Sequence, residues 1–318
     1  MRCGLVDIGS NTIRAVIYDV GTTAYQEVLN EKEYTEIISY VEQDELTAEG
    51  IEKLTATLSH MQNLCQMLDC QESYFFATSS LRNITNKETV VQEIAAETGI
   101  KIELLSGCAE AYYDYIGLRE AIKVDEALGF DLGGGSGQVF YYQNNNLVKS
   151  ASYSIGCLRL YNSCVSGVFP NAKERNAIEK TVRGYLKDTG TFSEKKQEII
   201  YGMGGTARAC MKLHKKLLGV DKTGDNYMLS LEDLRELDEV ITSMGLGGIK
   251  ILNRIMPERL CTIIPGLIAV RTIMKHTGAK KLCIVKQGVR EGYLLANVIN
   301  RKEGTADEQR AYQYLCQP

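Results

Sequence analysis

Two stretches of this chain carry the same order of residues, and that repetition limits the folds open to it. Leu5-Val6-Asp7-Ile8-Gly9-Ser10-Asn11-Thr12-Ile13-Arg14-Ala15-Val16-Ile17-Tyr18 runs apolar, aspartate, glycine, serine, then apolar again. Phe130-Asp131-Leu132-Gly133-Gly134-Gly135-Ser136-Gly137-Gln138-Val139-Phe140-Tyr141-Tyr142 does the same with three glycines in a row. Each reads as strand, tight turn, strand. Glycine lets such a turn take φ > 0 and leaves backbone N–H groups uncovered, so an anionic oxygen can come close. An aspartate entering the turn suits hydrated Mg²⁺, which usually travels with phosphate oxygens. One copy alone could be a plain glycine-rich hairpin. Two copies 124 positions apart, about a domain's length, indicate a duplicated lobe. Two such lobes can clamp a phosphate chain and its metal.

The length of 318 residues fits two domains, each able to bury a core. A net charge of −4 gives no whole-chain attraction to nucleic acid or anionic membrane, so a polyanion must be drawn by local basic groups. No apolar run approaches a membrane span, and no signal peptide precedes the first strand. Ten cysteines contain no C-x-x-C pair, which disfavours zinc or iron–sulfur ligation and favours reduced thiols in a cytoplasmic protein. With three histidines, the chemical resources are carboxylates, arginines and backbone amides.

Periodicity gives strands over 2–9 and 12–20, a third within 24–40, and an amphipathic helix over 47–68 capped by Thr47. A short aromatic strand runs from Ser73 into Thr78-Ser79-Ser80-Leu81-Arg82-Asn83. A helix over 86–98 ends at Gly99, and a strand at 101–105 precedes a helix opened by Ser106-Gly107 and running to about Ile122. Glu110 lies in its first turns with Asp114 one turn on; on pattern alone Glu110 could simply complement the helix dipole. The second half repeats three strands (127–133, 137–143, 147–155). A charged helix follows at 171–188, and then Ile199 to Arg208, a strand, glycine turn and helix N-terminus that can cradle an anion. Helices near 230–244, 247–256, 265–276 and 290–301 and a strand at 282–285 complete the reading.

These motifs resemble the actin-like ATPase superfold, and within it the Ppx/GppA family of exopolyphosphatases and guanosine pentaphosphate phosphohydrolases, in a short two-domain form. Seven segments carry the resemblance in order: Val6 to Asn11, Ala77 to Asn83, Leu105 to Ala111, Asp131 to Ser136, Ser154 to Leu160, Gly204 to Arg208 and Gly288 to Gly292. The resemblance implies an α/β fold of two actin-like (ribonuclease H-like) lobes, each a mixed sheet flanked by helices, with the active-site cleft between them. It implies lobes at 1–122 and 123–296, with a C-terminal helix at 297–318 packing back on the first.

The implied activity is hydrolysis of terminal phosphoanhydride bonds in inorganic polyphosphate or guanosine penta-/tetraphosphate, with Mg²⁺ or Mn²⁺. In that scheme Glu110 activates water and Arg82 and Gln138 assist. Asp7 and Asp131 hold the metal. Gly9, Ser10, Asn11, Gly133, Gly134, Gly135, Ser136, Gly204, Gly205 and Thr206 bind phosphate. Arg14, Arg159 and Arg208 could add positive field or form ordinary ion pairs. Nucleic-acid and membrane partners are not expected; the oligomeric state, a homodimer included, stays open.

Three departures from the family pattern stand out. Its Ser-Thr-Glu after the second loop is Ser136-Gly137-Gln138, its Glu-Glu is Ala109-Glu110, and its Arg-Ala-Asp is Arg259-Leu260-Cys261. Fewer acids around a metal could weaken turnover, so the alternative is a low-activity sensor that binds polyphosphate or nucleotide. A kinase of the same superfold is a third reading.

Overall fold

The computed structural model describes residues 1–300 except 23, 189–191, 193–196 and 221–226. The chain divides into two compact units, Met1–Glu110 together with the stretch from Leu294, and Ala111–Tyr293.

The first unit is built on a five-stranded sheet. Strands β1 (Arg2–Ile8), β2 (Ile13–Val20) and β3 (Tyr25–Glu33) form an antiparallel meander. A small hairpin follows, β4 (Val41–Glu42) with β5 (Glu45–Leu46), and leads into helix α1 (Ala48–Met67). Then come β6 (Glu72–Ala77), the one-turn helix α2 (Ser79–Arg82), helix α3 (Lys87–Thr98) and β7 (Ile102–Leu104). β6 pairs parallel to β1, and β7 parallel to β6, giving the order β3-β2-β1-β6-β7. Val6, Ile8, Phe75 and Ala77 face Leu54, Leu58 and Met61 of α1 and Val90 and Ile94 of α3 across one apolar core. Each large side chain so buried contributes about 1.5–3 kcal/mol. The alternation of β1 turns Asp7 to the other face.

α1 starts as its sequence dictates: the Thr47 side chain accepts from the Gly50 N–H. It ends in a Schellman closure. Asp69 sits at φ 52°, Cys70 N–H bonds to Cys65 O at 3.0 Å, and Asp69 N–H to Gln66 O at 3.0 Å. α3 stops at Gly99, left-handed at φ 74°.

Helix α4 (Gly107–Ala121) carries the chain out of the first unit. The boundary falls inside it, between Glu110 and Ala111, rather than after residue 122. The cause is packing: Tyr115 bonds Asn145 O and stacks 5.4 Å from Tyr142, and Gly117 lies against the Gly288 backbone, all in the second unit.

The second unit repeats the plan. β8 (Glu126–Leu132), β9 (Gly137–Gln143) and β10 (Asn146–Tyr153) form a meander, with Asn144 and Asn145 at positive φ in the two-residue turn. Helices α5 (Cys157–Cys164) and α6 (Ala172–Asp188) lead to β11 (Ile199–Met203), which opens directly into α7 (Gly204–Leu217). β12 (Tyr227–Ser230), α8 (Leu231–Ser243), α9 (Leu246–Ile255), α10 (Ile263–Thr277), β13 (Lys281–Ile284) and α11 (Val289–Leu294) follow. The strand order is β10-β9-β8-β11-β13-β12, with β11 and β13 parallel to β8 and β12 antiparallel at the edge. α10 is buried along nearly its whole length. Buried Asp238 on α8 is forked by Arg175 of α6 at 2.7 and 2.9 Å and held by Arg271 of α10 at 2.8 Å.

The α/β class and the two mixed sheets flanked by helices match the expectation. The turn α2, helix α5, the β4–β5 hairpin and edge strand β12 are additions. The last helix starts where expected, but α11 passes into a π-helical stretch, Leu295–Ile299, and the expected helix beyond Asn300 lies outside the described residues. Among the described residues no helix is long and apolar enough to cross a membrane.

Candidate active site

The two aspartate loops are built alike. In the first, Gly9 N–H closes the turn on Thr12 O at 3.0 Å; in the second, Gly133 N–H closes it on Ser136 O at 3.0 Å. These two amides are therefore consumed inside their own turns. That corrects the reading of Gly9 and Gly133 as phosphate donors: they shape the loops.

The loop carbonyls are tied down behind. Cys157 N–H bonds to Gly133 O at 2.9 Å, and the N–H groups of Leu158 and Arg159 bond to Gly134 O at 3.0 and 3.1 Å. Gly156 lies so close that a Cβ there would stand 2.2 Å from Gly134 O, so only glycine fits. In a planar trans peptide the N–H points opposite to the preceding C=O. With the carbonyls of Gly133 and Gly134 turned toward the start of α5, the amides of Gly134 and Gly135 face the other way. The first loop does the same: Ser10 O accepts from Ile38 N–H at 3.3 Å and Asn11 O from Glu36 N–H at 3.1 Å. The amides of Asn11 and Thr12 are thereby directed away from that segment. Each loop thus presents two adjacent backbone donors, the arrangement of an anion-binding nest.

In the first unit the Ala77-to-Asn83 segment packs on the loop. Ser80 Oγ donates to Ile8 O at 2.6 Å, and Ser79 Oγ lies 3.4 Å from Ser10 Oγ, which is buried. α2 delivers Arg82, whose Nη1 donates to Leu105 O at 2.7 Å and to Glu110 Oε2 at 2.5 Å. Glu110 is 6% exposed in the first turn of α4, whose N-terminus Ser106 caps by accepting from Ala109 N–H at 3.0 Å. Arg82 is thus one group that holds Glu110 in place.

In the second unit Asp131 lies under two glycines. Gly204 opens α7 at φ 72°, and a Cβ there would stand 1.8 Å from Asp131 Oδ1. A Cβ on Gly288 would stand 4.0 Å from Asp131 Oδ2 and 3.6 Å from Asp114 Oδ1. Asp114, 1% exposed, therefore shares this pocket, a residue noted in sequence only for its place on the helix. Arg259 covers Gly205, with Nη2 2.1 Å from where a Cβ would be. Sequence reading treated Arg259 only as a flank of the missing acid at Cys261; no spacing signal marked its contact with the glycine turn.

Thr206 is buried, its Oγ1 3.0 Å from Cys157 Sγ, so its hydroxyl pins α7 to α5. Gln138, cross-strand partner of Asp131, is buried and donates from Nε2 to Ser136 Oγ and Ser152 Oγ, both at 3.1 Å. It fixes the loop's serine. Of the three expected arginines, Arg14 donates to Asn30, Arg208 to Lys286 O, and Arg159 is exposed. Gly288 and Gly292 explain their own motif by packing: the α4 backbone at Gly117 and Tyr113 touches them.

Among the described residues no group of three or more His, Cys, Asp and Glu side chains could hold a metal ion. Mg²⁺ does not need one: one or two carboxylates completed by phosphate oxygens and water is its usual setting. Asp131, beside two glycines whose missing side chains leave room at its carboxylate, fits that requirement, while Asp114 is enclosed next to it.

Two sheets of the same β-meander-plus-parallel order, each carrying an acidic glycine loop, define a duplicated actin-like two-domain fold. The family model for the Ppx/GppA phosphatase family matches residues 16–300, and the chain belongs to that family. It is 22% identical over 314 residues to Exopolyphosphatase 1 of Mycobacterium leprae, covering 96% of this chain and 92% of that protein. It is 27% identical over 312 residues to a bifunctional 3-dehydroquinate synthase/phosphatase of Fusobacterium nucleatum, covering 93% of this chain and 46% of that longer protein. The fold is similar to that of the Aquifex aeolicus Ppx/GppA family member, with TM-score 0.78 and 20% identity over 96% and 99% of the two chains. It is also similar to an exopolyphosphatase from Cytophaga hutchinsonii, with TM-score 0.81 and 19% identity over 93% and 97%.

Proposed function

We propose that this protein hydrolyses terminal phosphoanhydride bonds of inorganic polyphosphate or guanosine penta-/tetraphosphate, dependent on Mg²⁺ or Mn²⁺. The observation that carries the reading is the pair of loops whose carbonyls are tied back so that adjacent amides are presented together. Amides of Asn11, Thr12, Gly134 and Gly135 grip phosphoryl oxygens and hold the chain of phosphates in place. Glu110, fixed by Arg82, orients the attacking water and takes its proton. Asp7 in the first loop and Asp131 in the second are the carboxylates each unit would offer to a metal. The bound metal supplies charge neutralisation on the oxygens that gain charge as the bond breaks.

One comparison tests this: orthophosphate released from long-chain polyphosphate and from pppGpp, each with and without Mg²⁺. Release from at least one, lost on chelation, is the expected outcome. Binding of both with no release under any condition would instead establish a sensor. That second reading has one observation in its favour, the uncharged Gln138 beside Asp131.

Gln138→Glu separates the two. Both serine hydroxyls can donate to a carboxylate, so the contacts survive, but a like charge now faces Asp131 across the ladder. The variant should lose about 1 kcal/mol without metal, roughly 2–4 °C of melting temperature. Mg²⁺ should raise its melting temperature more than that of the wild type, and turnover should rise about tenfold, the scale of ~1.4 kcal/mol in the barrier. An identical Mg²⁺ response in both proteins would remove position 138 from the metal's surroundings.

A further inference from the structure

The Schellman closure at the end of α1 brings two thiols together. Cys65 and Cys70 occupy the positions whose side chains meet in this motif, and the 3.0 Å backbone bond from Cys70 N–H to Cys65 O joins the same two residues. A backbone bond at that length holds the two Cα atoms near the ~4.4–6.8 Å spacing a disulfide needs. Both sulfurs converge on Gly4 of β1: a Cβ there would stand 2.5 Å from Cys65 Sγ and 3.7 Å from Cys70 Sγ. Any larger residue at position 4 would occupy the space the Cys65 thiol fills. The turn is further fastened to the start of β1: Arg2 Nη1 donates to Leu68 O at 3.0 Å and Gln71 N–H to Arg2 O at 2.9 Å.

We propose that Cys65 and Cys70 are a reversible modification site, a dithiol that exchanges with small-molecule disulfides of the glutathione class to give an intra-turn disulfide. Cys70 is the point of entry, since it is partly exposed while Cys65 is 2% exposed. The Cys70 thiolate attacks one sulfur of the small disulfide, forming a mixed disulfide and expelling one small thiolate. That thiolate, or water, takes the Cys65 proton. The Cys65 sulfur then attacks the Cys70 sulfur and expels the second small thiol. Two protein thiols are oxidised and one small disulfide is reduced to two thiols. Burial raises the Cys70 pKa, opposed by the neighbouring Cys65 thiol and the Arg2 guanidinium, whereas burial pushes Cys65 to about 12. Cys3 is a neighbour but not the partner: it is fully buried, also raised to about 12, and its thiol faces Gly4 O at 3.9 Å.

Trypsin leaves both cysteines on one peptide, Leu54–Arg82. The full-length protein is equilibrated with oxidised and reduced glutathione, quenched in acid, alkylated under denaturing conditions and mapped by mass spectrometry. The expected result is that peptide lighter by two hydrogens and unlabelled, its fraction following the glutathione ratio and reversed by dithiothreitol. The rate should climb about tenfold per pH unit through neutrality, as thiolate supply dictates. Cys65→Ser should trap Cys70 as a stable glutathione adduct, and Cys70→Ala should leave Cys65 unmodified. A fully alkylated peptide in the wild type, a glutathione adduct that accumulates there, or a bond to Cys3 would each overturn the proposal without needing either variant.

Discussion

Glu110→Gln is expected to lower turnover by about 10²–10⁴-fold, the range for removing a positioned general base. Glutamine still accepts a hydrogen bond from Arg82 Nη1, so the loss of stability should stay near 1 kcal/mol. Collapse of activity in a folded protein is thus the signature. Arg82→Ala provides the complement. It leaves a 6%-exposed carboxylate without the guanidinium 2.5 Å away, and should cost roughly 2–3 kcal/mol, the low end for breaking a buried pair because Arg82 is partly exposed. Turnover should fall too, because Glu110 would no longer be held. Orthophosphate release and thermal melting of the three proteins side by side are the measurements. Glu110→Gln activity within tenfold of wild type would end the role assigned to that carboxylate.

Gly204→Ala should be a strongly damaging single-methyl change in the second unit. Gly99 and Gly204 have nearly the same left-handed conformation, φ 74° and φ 72°. A Cβ on Gly99 meets nothing within 4 Å, whereas on Gly204 it would stand 1.8 Å from Asp131 Oδ1. Gly99→Ala therefore reports the backbone penalty alone, about 1–2 kcal/mol. Gly204→Ala adds displacement of a carboxylate wedged beside the α7 N-terminus, and should exceed the Gly99 variant by about 2 kcal/mol or more. Calorimetric titration with Mg²⁺ should show weakened binding for Gly204→Ala and unchanged binding for Gly99→Ala. Equal losses of stability in the two variants would mean that Asp131 simply moves aside.

Much of this was legible in sequence because the signal was duplicated. An Asp-Gly turn between two apolar runs is ambiguous once, but its recurrence set the first two strands of both meanders. α1 was legible through Thr47 and its 3-and-4 spacing, and α3 through Gly99. Helix α5 was not, because Gly156-Cys157-Leu158-Arg159-Leu160 mixes small and charged residues over a span too short for period to speak. β12 was missed because four residues pairing only at a sheet edge leave no pattern. At the site, sequence located the loops but could not distribute their hydrogen bonds. Gly9 and Gly133 look like donors until the turn closure uses their amides. Thr206 looks like an anion ligand, and nothing in its spacing shows its hydroxyl beside Cys157 Sγ. Asp114 gained meaning only when Gly288 brought its carboxylate beside Asp131, a contact between residues far apart in the chain.

The tied-back carbonyls have one further consequence. If the loops bind phosphate as proposed, a grip made of main-chain amides would offer every phosphoryl group the same two hydrogens, whether it is an inner unit of a polymer or a ribose-linked phosphate. Such a cradle is indifferent to chain length and register. Selectivity among phosphate esters and anhydrides must then arise from what flanks the grip, and exchanging the loops between relatives would leave substrate preference where it was.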